Sequence, residues 1–227
     1  MLAKRRVAIL ISGRGSNMAS LIEAAKAPDY PAEIALVVSN IPGAPGLERA
    51  AAEGVATAVV DYKTYPEREA FERALDRALT AHGAEILCLA GFMRILTPWF
   101  INRWIGRMLN IHPSLLPLFK GLHTHRRALE EGVRIHGCTV HYVTPELDSG
   151  PIIAQAAVPA LPSDTEETLS ARVLRQEHVL YPLALKLVAD GKVRLRQGRV
   201  EVEADWNEDA ALISPSPLGA APRMTGP

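Results

Sequence analysis

The sequence Val7-Ala-Ile-Leu-Ile-Ser-Gly-Arg-Gly-Ser-Asn17 is the most informative part of the chain, because it joins an apolar run to a predicted helix through a glycine-rich turn. Its first five residues are continuously apolar, which is typical of a strand buried on both faces of a parallel sheet. Residues from about 16 to 26 have the apolar spacing of a helix. The stretch therefore predicts the first strand–turn–helix unit of an α/β fold.

The rest of the first half repeats this alternation. Apolar runs predict strands at 34–38, 55–60 and 86–90, and helical spacing predicts helices at 46–53 and 64–82. Strands connected through helices form right-handed βαβ units and therefore a parallel sheet. We expect this half of the chain to be Rossmann-like.

The second half predicts an antiparallel addition to that sheet. A short strand at 108–112 ends at a proline, and a helix follows near 124–131. Runs at 138–143 and 152–158 then predict two antiparallel strands joined by a turn-rich loop. The whole pattern indicates an α/β fold: a single-domain, mostly parallel twisted sheet with helices on both faces.

One long helix is predicted to end the folded part of the chain. Ser163, with Glu166 three residues later, resembles a capping box that opens this helix. Pro182 should kink or divide it, and Gly191 suits its C-terminal cap. A terminal hairpin is expected at 193–203.

Length and composition limit the classes of function. The 227 residues suffice for a core without disulfides, and we assign 1–204 to one domain and the Pro-rich 205–227 to a disordered tail. Lys and Arg total 25, as do Asp and Glu, which argues against a dedicated nucleic-acid-binding protein. No run reaches the ~18 apolar residues of a membrane helix. Cys88 and Cys138 are predicted to be buried free thiols, so we expect a cytoplasmic protein without nucleic-acid or membrane partners.

The glycine-rich turn at 12–17 is the first candidate site. Glycines let the backbone approach an anion, and a helix N-terminus offers free amides, so the motif favours a phosphate. The turn lacks the Lys-Ser/Thr ending of a P-loop, and Met18 stands where a dinucleotide fingerprint has its third glycine. A tight turn capped by Ser16 or Asn17 is the alternative.

Asn110 and His112 form the second candidate site. Alternation along their strand puts both side chains on one face, at the end where parallel sheets bind ligands. Asn can donate to a developing oxyanion, and His can transfer a proton near neutral pH. A structural histidine before a turn is the alternative.

Asp148 by itself has the ordinary role of an aspartate in a turn. If its loop folded over His112, however, Asp148 would pair with the imidazolium and raise the pKa of His112.

Four nearby histidines, His112, His123, His125 and His141, raise the question of a metal site. No acidic residue or cysteine completes a recognised ligand spacing around them. Capping, packing or support of other side chains is therefore the favoured interpretation, and we expect no metal.

Together these segments resemble the glycinamide ribonucleotide formyltransferases of purine synthesis, a branch of the folate-dependent formyltransferases. Order and spacing agree over roughly residues 5–190 in Ile11-Ser-Gly-Arg-Gly-Ser-Asn17, Leu89-Ala-Gly-Phe-Met-Arg-Ile-Leu96, Leu109-Asn-Ile-His-Pro-Ser-Leu-Leu-Pro117, Gly137-Cys-Thr-Val-His-Tyr-Val143 with Asp148-Ser-Gly-Pro151, and Gln176-Glu-His178 with Tyr181-Pro182. Departures are Arg14 and Leu118-Phe-Lys120, and the tail has no counterpart.

The resemblance implies that the amine of glycinamide ribonucleotide attacks the formyl carbon of 10-formyltetrahydrofolate, giving a tetrahedral intermediate. Asn110 would hydrogen-bond the formyl oxygen, and His112 would transfer a proton. Asp148 would orient His112 and raise its pKa. Neither a covalent enzyme intermediate nor a metal is needed, because proximity and oxyanion stabilisation supply much of the rate.

The same resemblance implies two binding sites. The phosphate of the ribonucleotide would lie on the amides of Gly15, Ser16 and Asn17, and Glu177 would bind the ribose hydroxyls. Arg68 would lie near the glutamate tail of the folate. The pterin would contact a larger set, largely through backbone groups: Met93, Arg94, Ile95, Leu96, Asn110, Thr144, Pro145, Glu146, Leu147 and Asp148. A monomer and a homodimer both remain open.

Several related functions compete with this interpretation. A methionyl-tRNA formyltransferase should carry a C-terminal RNA-binding domain, whereas only some 35 residues follow the last predicted long helix. A formyltetrahydrofolate hydrolase should carry an N-terminal regulatory domain, whereas the first strand begins at Val7. The phosphate turn argues against a sugar-nucleotide formyltransferase. A non-catalytic Rossmann-type nucleotide-binding protein usually has an acid after its second strand, where Ser39-Asn40 stand here.

Overall fold

A computed structural model of the chain describes residues 3–204 and 210–215. Its strands are β1 (Arg5–Ile11), β2 (Ala32–Ser39), β3 (Thr57–Val59), β4 (Ile86–Leu89), β5 (Met108–His112), β6 (Ile135–Tyr142), β7 (Ile152–Pro159), β8 (Val193–Arg196) and β9 (Arg199–Val202). Its α-helices are α1 (Ser16–Ala25), α2 (Pro45–Ala52), α3 (Arg68–Ala81), α4 (Pro98–Arg103), α5 (Thr124–Glu130) and α6 (Glu166–Ala189).

Seven strands form one sheet in the order β3-β2-β1-β4-β5-β6-β7. All neighbours from β3 to β5 are parallel, and β5, β6 and β7 pair antiparallel. β8 and β9 form a separate antiparallel hairpin. The predicted α/β fold, with a Rossmann-like first half and an antiparallel addition, is confirmed.

The sheet has an apolar layer on each face, which explains the continuous apolar run of β1. Val7, Ile9 and Ile11 point into a layer that includes buried side chains of α1 and α6. Ala8 and Leu10 point into the opposite layer with side chains of α3 and α4. Because successive strand residues face opposite sides, a strand covered on both faces must be apolar at every position. Helices therefore cover both faces, as predicted.

The start of α6 differs from the predicted capping box. Thr165, rather than Ser163, is the N-cap, and its side chain accepts a hydrogen bond from the backbone N–H of Thr168. The Thr168 hydroxyl in turn accepts from the backbone N–H of Thr165. A threonine thus replaces the usual Glu or Gln of a capping box, which is why the pattern at 163 was misleading.

Pro182 does not divide α6, which runs through it to residue 189. Both neighbouring turns are fixed by packing, because Tyr181 and Leu185 are fully buried. The carbonyl of Pro182 also accepts a hydrogen bond from the Tyr30 hydroxyl, at 2.7 Å. Gly191, in the left-handed conformation with φ 72°, directly follows the C-cap of the helix, as predicted.

Two elements between β3 and β5 differ from expectation. The helix predicted from residue 64 begins at Arg68, and a 3₁₀ turn occupies Tyr62–Thr64. α4 was not predicted, because it has only six residues and opens with a proline. Its N-cap, Thr97, accepts a hydrogen bond from the backbone N–H of Phe100. Proline suits the first helical position, where its missing N–H has no helical partner to lose.

The predicted tail, 205–227, lies outside the described residues apart from 210–215, which contain no helix or strand. The division into a domain of residues 1–204 and a disordered tail therefore stays a prediction. In the described part of the chain, no helix combines the length and the apolar character that spanning a bilayer requires.

Candidate functional site

The predicted site segments converge at one edge of the sheet. β1, β4 and β5 are neighbouring parallel strands, so their C-terminal ends lie side by side. The glycine-rich turn follows β1, the segment 91–97 follows β4, and His112 ends β5. The backbone N–H of Ser12 donates to the carbonyl of Gly91 at 3.1 Å, which joins the first two segments directly.

The glycine-rich turn leaves the N-terminal amides of α1 without a capping side chain. The N-cap is Gly15, in the left-handed conformation with φ 66°, which favours glycine. Neither Ser16 nor Asn17 caps the helix, so the predicted alternative of a side-chain-capped turn is wrong. The helix dipole and these amides provide a suitable place for an anion.

Asn17 and Glu177 meet beside this turn, although 160 residues separate them in sequence. The Asn17 Nδ2 amide donates to Glu177 Oε2 at 2.6 Å, and both side chains are buried. Burial raises the pKa of Glu177, while the Asn17 hydrogen bond opposes that rise. Asn17 Oδ1 is buried, and no group in the described part of the chain hydrogen-bonds to it. The pair thus offers one unpaired acceptor and one carboxylate next to the predicted phosphate position.

The His112 ring lies between two acceptors. Nε2 is 2.9 Å from the Phe119 carbonyl oxygen, and Nδ1 is 3.4 Å from Asp148 Oδ2. A carbonyl can only accept, so Nε2 carries a proton. The ring is therefore held between the Phe119 carbonyl and the Asp148 carboxylate.

The loop between β6 and β7 places Asp148 over His112. Asp148 adopts φ 47°, and the backbone N–H of Gly121 donates to its Oδ2 at 2.8 Å. A Cβ at Gly150 would lie 1.6 Å from the Tyr142 carbonyl oxygen, so only glycine permits this close approach. The position of Asp148 opposite His112 therefore depends on the backbone at Gly121 and Gly150.

His141 orients the Asn110 amide, a role that the sequence did not predict specifically. The β5–β6 register pairs the two residues, and Asn110 Nδ2 lies 3.2 Å from His141 Nε2. The opposite nitrogen of His141, Nδ1, is 2.9 Å from the Tyr142 carbonyl and donates to it, which leaves Nε2 as the acceptor. Burial lowers the pKa of His141, in keeping with this neutral tautomer. Strand register was the signal needed to find this contact.

The segment after β4 presents apolar side chains to solvent at the same edge. Met93 and Ile95 are 71% and 70% exposed, whereas Leu96 is buried in the core and offers mainly its backbone. The fully buried Glu72 of α3 accepts from the backbone N–H of Thr97 at 2.7 Å and so fixes the end of the segment.

Three further positions were predicted as folate contacts: Arg94, Arg68 and Leu147. The guanidinium of Arg94 stacks 4.1 Å from the centre of the Tyr62 ring. Arg68 is exposed at the start of α3, one helical turn before Glu72. Leu147 is 58% exposed in the loop between β6 and β7, on the approach to Asp148. Arg68 and Leu147 are thus exposed, and the Arg94 guanidinium is stacked on an aromatic ring.

Three further histidines, His123, His125 and His136, lie at the start of α5 and on the neighbouring β6. His123 is the N-cap of α5, and His125 Nδ1 lies 3.2 Å from His136 Nε2. Burial lowers the pKa of His125, and it lowers the pKa of His136 to about 4. Within residues 3–204 and 210–215, no three His, Cys, Asp or Glu side chains are arranged to hold a metal ion.

Comparison with known proteins gives consistent matches. The formyl transferase family model matches residues 5–185. Phosphoribosylglycinamide formyltransferase of Escherichia coli (strain K12) is 46% identical over 191 residues, which are 84% of this chain and 90% of that protein. The crystal structure of phosphoribosylglycinamide formyltransferase from Brucella melitensis has a TM-score of 0.79 and 57% identity, covering 82% of this chain and 96% of that one.

Longer relatives match as well. The trifunctional purine biosynthetic protein adenosine-3 of Gallus gallus is 53% identical over 192 residues, which are 85% of this chain. The chain spans only about a fifth of the length of that protein, at 19%. The family match and the E. coli relative each extend over most of the chain. The chain therefore belongs to the formyl transferase family, together with the phosphoribosylglycinamide formyltransferases.

Proposed function

We propose that this protein transfers the formyl group of 10-formyltetrahydrofolate to the amine of glycinamide ribonucleotide, a step of de novo purine synthesis. The observation that carries the proposal is the meeting of Asn110, His112 and Asp148 at one sheet edge. The glycine-rich turn follows β1 and the segment at 93–96 follows β4, so both lie at the C-terminal ends of strands that neighbour this group. This arrangement supports direct transfer between two substrates bound side by side.

The chemistry follows from the orientation of each group. As the amine attacks the formyl carbon, the carbonyl oxygen gains charge, and the Asn110 Nδ2 amide stabilises it. The His112 imidazolium, held by Asp148, adds a positive charge beside the same oxygen. The amine gives up one proton and N10 of the departing tetrahydrofolate receives one, so the reaction needs no net proton. His112 mediates this transfer, with Asp148 organising the path.

The ribonucleotide is proposed to bind at the turn after β1. Its phosphate would accept hydrogen bonds from the amides of Gly15, Ser16 and Asn17, which no side chain caps. Its ribose hydroxyls would reach Glu177. The contact between Asn17 and Glu177 supports this arrangement, because it joins the phosphate and ribose ends of one binding surface.

The folate is proposed to bind against the opposite side. Its pterin would pack on Met93 and Ile95 and use the backbone of the segment through Arg94 and Leu96. It would also contact the loop after β6 through Thr144, Pro145, Glu146, Leu147 and Asp148. Arg68, a cation exposed at the start of α3, would attract the glutamate carboxylates.

A spectrophotometric assay tests the proposal. The purified chain is mixed with 10-formyltetrahydrofolate, with and without glycinamide ribonucleotide, and without added metal. Folate deformylation that requires the ribonucleotide is the expected result. Deformylation without it would instead identify a hydrolase. His112→Ala should lose transfer while still binding the ribonucleotide in calorimetry, and loss of both would contradict the assigned role of His112.

A further inference from the structure

Ser12 lies at the junction of the two proposed substrate sites. It is the first residue after β1 and the first residue of the glycine-rich turn at 12–17. Its backbone N–H donates to the Gly91 carbonyl at 3.1 Å, which holds the start of the segment that follows β4. Ser12 is therefore part of the turn proposed to bind the ribonucleotide, and it hydrogen-bonds to the segment proposed to bind the folate.

The Ser12 hydroxyl makes two side-chain hydrogen bonds of defined direction. It donates to Asn40 Oδ1 at 2.6 Å, and it accepts from the backbone N–H of Met93 at 2.8 Å. Asn40 is buried, with 2% of its surface exposed, so the acceptor for this hydroxyl is fixed. Because its hydrogen is already donated to Asn40, the hydroxyl is not the group that would donate to a bound phosphate.

Apart from this hydrogen bond, little holds the backbone at Met93 in place. The segment from 91 to 97 has no helix or strand, and the Met93 side chain is 71% exposed, so packing does not hold it. Side chains instead hold both ends: Ser12 binds the amide of residue 93, and Glu72 binds that of Thr97. The backbone groups between these points are thereby positioned from two other elements.

We propose that Ser12 is a positioning residue for the folate site. Its hydroxyl, oriented by Asn40, fixes the position of the 93–96 backbone relative to the glycine-rich turn. The inference rests on the proposed function, since it assigns the 93–96 segment to the folate. It goes further by making the placement of one substrate depend on a residue of the other substrate's loop. Loss of the hydroxyl should loosen folate binding while leaving the phosphate amides intact.

Three variants test this role. Ser12→Ala removes the hydroxyl, and Ser12→Thr retains one. Thr80→Ala is a matched control, because it removes a hydroxyl that donates to a backbone carbonyl at 2.8 Å elsewhere, on α3. In Ser12→Ala the KM for 10-formyltetrahydrofolate should rise about 3- to 10-fold, the effect of losing one neutral hydrogen bond. The dissociation constant for the ribonucleotide, measured by calorimetry, should change less than about 2-fold, and Ser12→Thr should recover most of the folate KM.

Hydrogen exchange gives a readout that does not depend on activity. The Met93 amide should exchange faster in Ser12→Ala than in the wild type or in Thr80→Ala, since its acceptor is gone. An unchanged folate KM together with an unchanged Met93 exchange rate would overturn the positioning role. If the wild-type chain neither transfers formyl groups nor binds the ribonucleotide, the proposed function fails instead, and the exchange result still decides whether Ser12 holds Met93.

Discussion

The surroundings of single side chains determine the chemistry of the site, and Asp148 is the clearest case. Its carboxylate, 8% exposed, lies 3.4 Å from His112 Nδ1 and accepts from the Gly121 amide. Asp148→Asn keeps the size of the side chain but removes the charge that faces the imidazolium. We expect turnover to fall by roughly 10²- to 10⁴-fold, the usual range for losing a proton-transfer group, with the fold retained.

Steady-state kinetics and a thermal melt check this expectation. Glu130→Gln is a suitable control, because it neutralises a carboxylate outside the proposed sites, on α5, whose side chain is 66% exposed. That variant should affect turnover far less than Asp148→Asn. Wild-type turnover in Asp148→Asn would remove Asp148 from the mechanism.

A second prediction at this scale concerns acid stability. Burial lowers the pKa of His136 from 6.5 to about 4, so between these pH values the unfolded chain binds a proton that the folded chain does not. Stability should therefore fall as pH drops from about 6.5 towards 4, by up to about 3 kcal/mol from this residue, and not further below that. His136→Gln should flatten this part of a curve of unfolding free energy against pH, measured by urea titration.

At the scale of elements, pairing between strands brings His141 opposite Asn110. His141→Phe keeps a flat ring on β6 but removes the Nε2 acceptor, so the Asn110 amide can rotate away from the formyl oxygen. Turnover should fall roughly 10-fold, less than the ~10²- to 10³-fold expected when Asn110→Ala removes the donor itself. Comparing kcat in the two variants checks the order, and a larger loss in His141→Phe would contradict it.

Helices and strands were predictable from the sequence where the apolar residues followed a single helical or strand pattern. β1 and β5 were predicted because their apolar runs or alternation are unambiguous. α4 was missed because six residues hold too little periodicity, and its Pro98 resembles a breaker. Pro182 misled in the opposite direction: local propensity disfavours proline inside a helix, but the packing of Tyr181 and Leu185 fixes both adjoining turns.

Across the whole molecule, stability comes from the two apolar layers on either side of the sheet. Leu79 of α3 is fully buried in one layer, so Leu79→Ala should cost about 2–5 kcal/mol of unfolding free energy. The same change at Leu122, which is 71% exposed, should fall within about 0.5 kcal/mol. Denaturant titrations of the two variants measure the difference. Equal losses would mean that burial on this side of the sheet does not determine stability.

The long-range parts of the candidate site could be predicted only through the family resemblance. Glu177 on α6 is a featureless helical glutamate in the sequence, and the fold brings it to Asn17 across 160 residues. The loop at 118–120 showed only a departure from relatives, yet the Phe119 carbonyl lies 2.9 Å from His112. Contacts of this kind depend on chain topology, which local patterns do not encode.

The two buried thiols allow the opening of each half of the sheet to be measured separately. Cys88 lies on β4 in the parallel part and Cys138 on β6 in the antiparallel part, and both are fully buried and free. Burial raises the pKa of each to about 12, so neither forms a reactive thiolate while its strand stays closed. The rate at which an alkylating reagent modifies each cysteine therefore reports how often the strand that carries it opens. The ratio of the two rates tells whether the halves open together or one before the other.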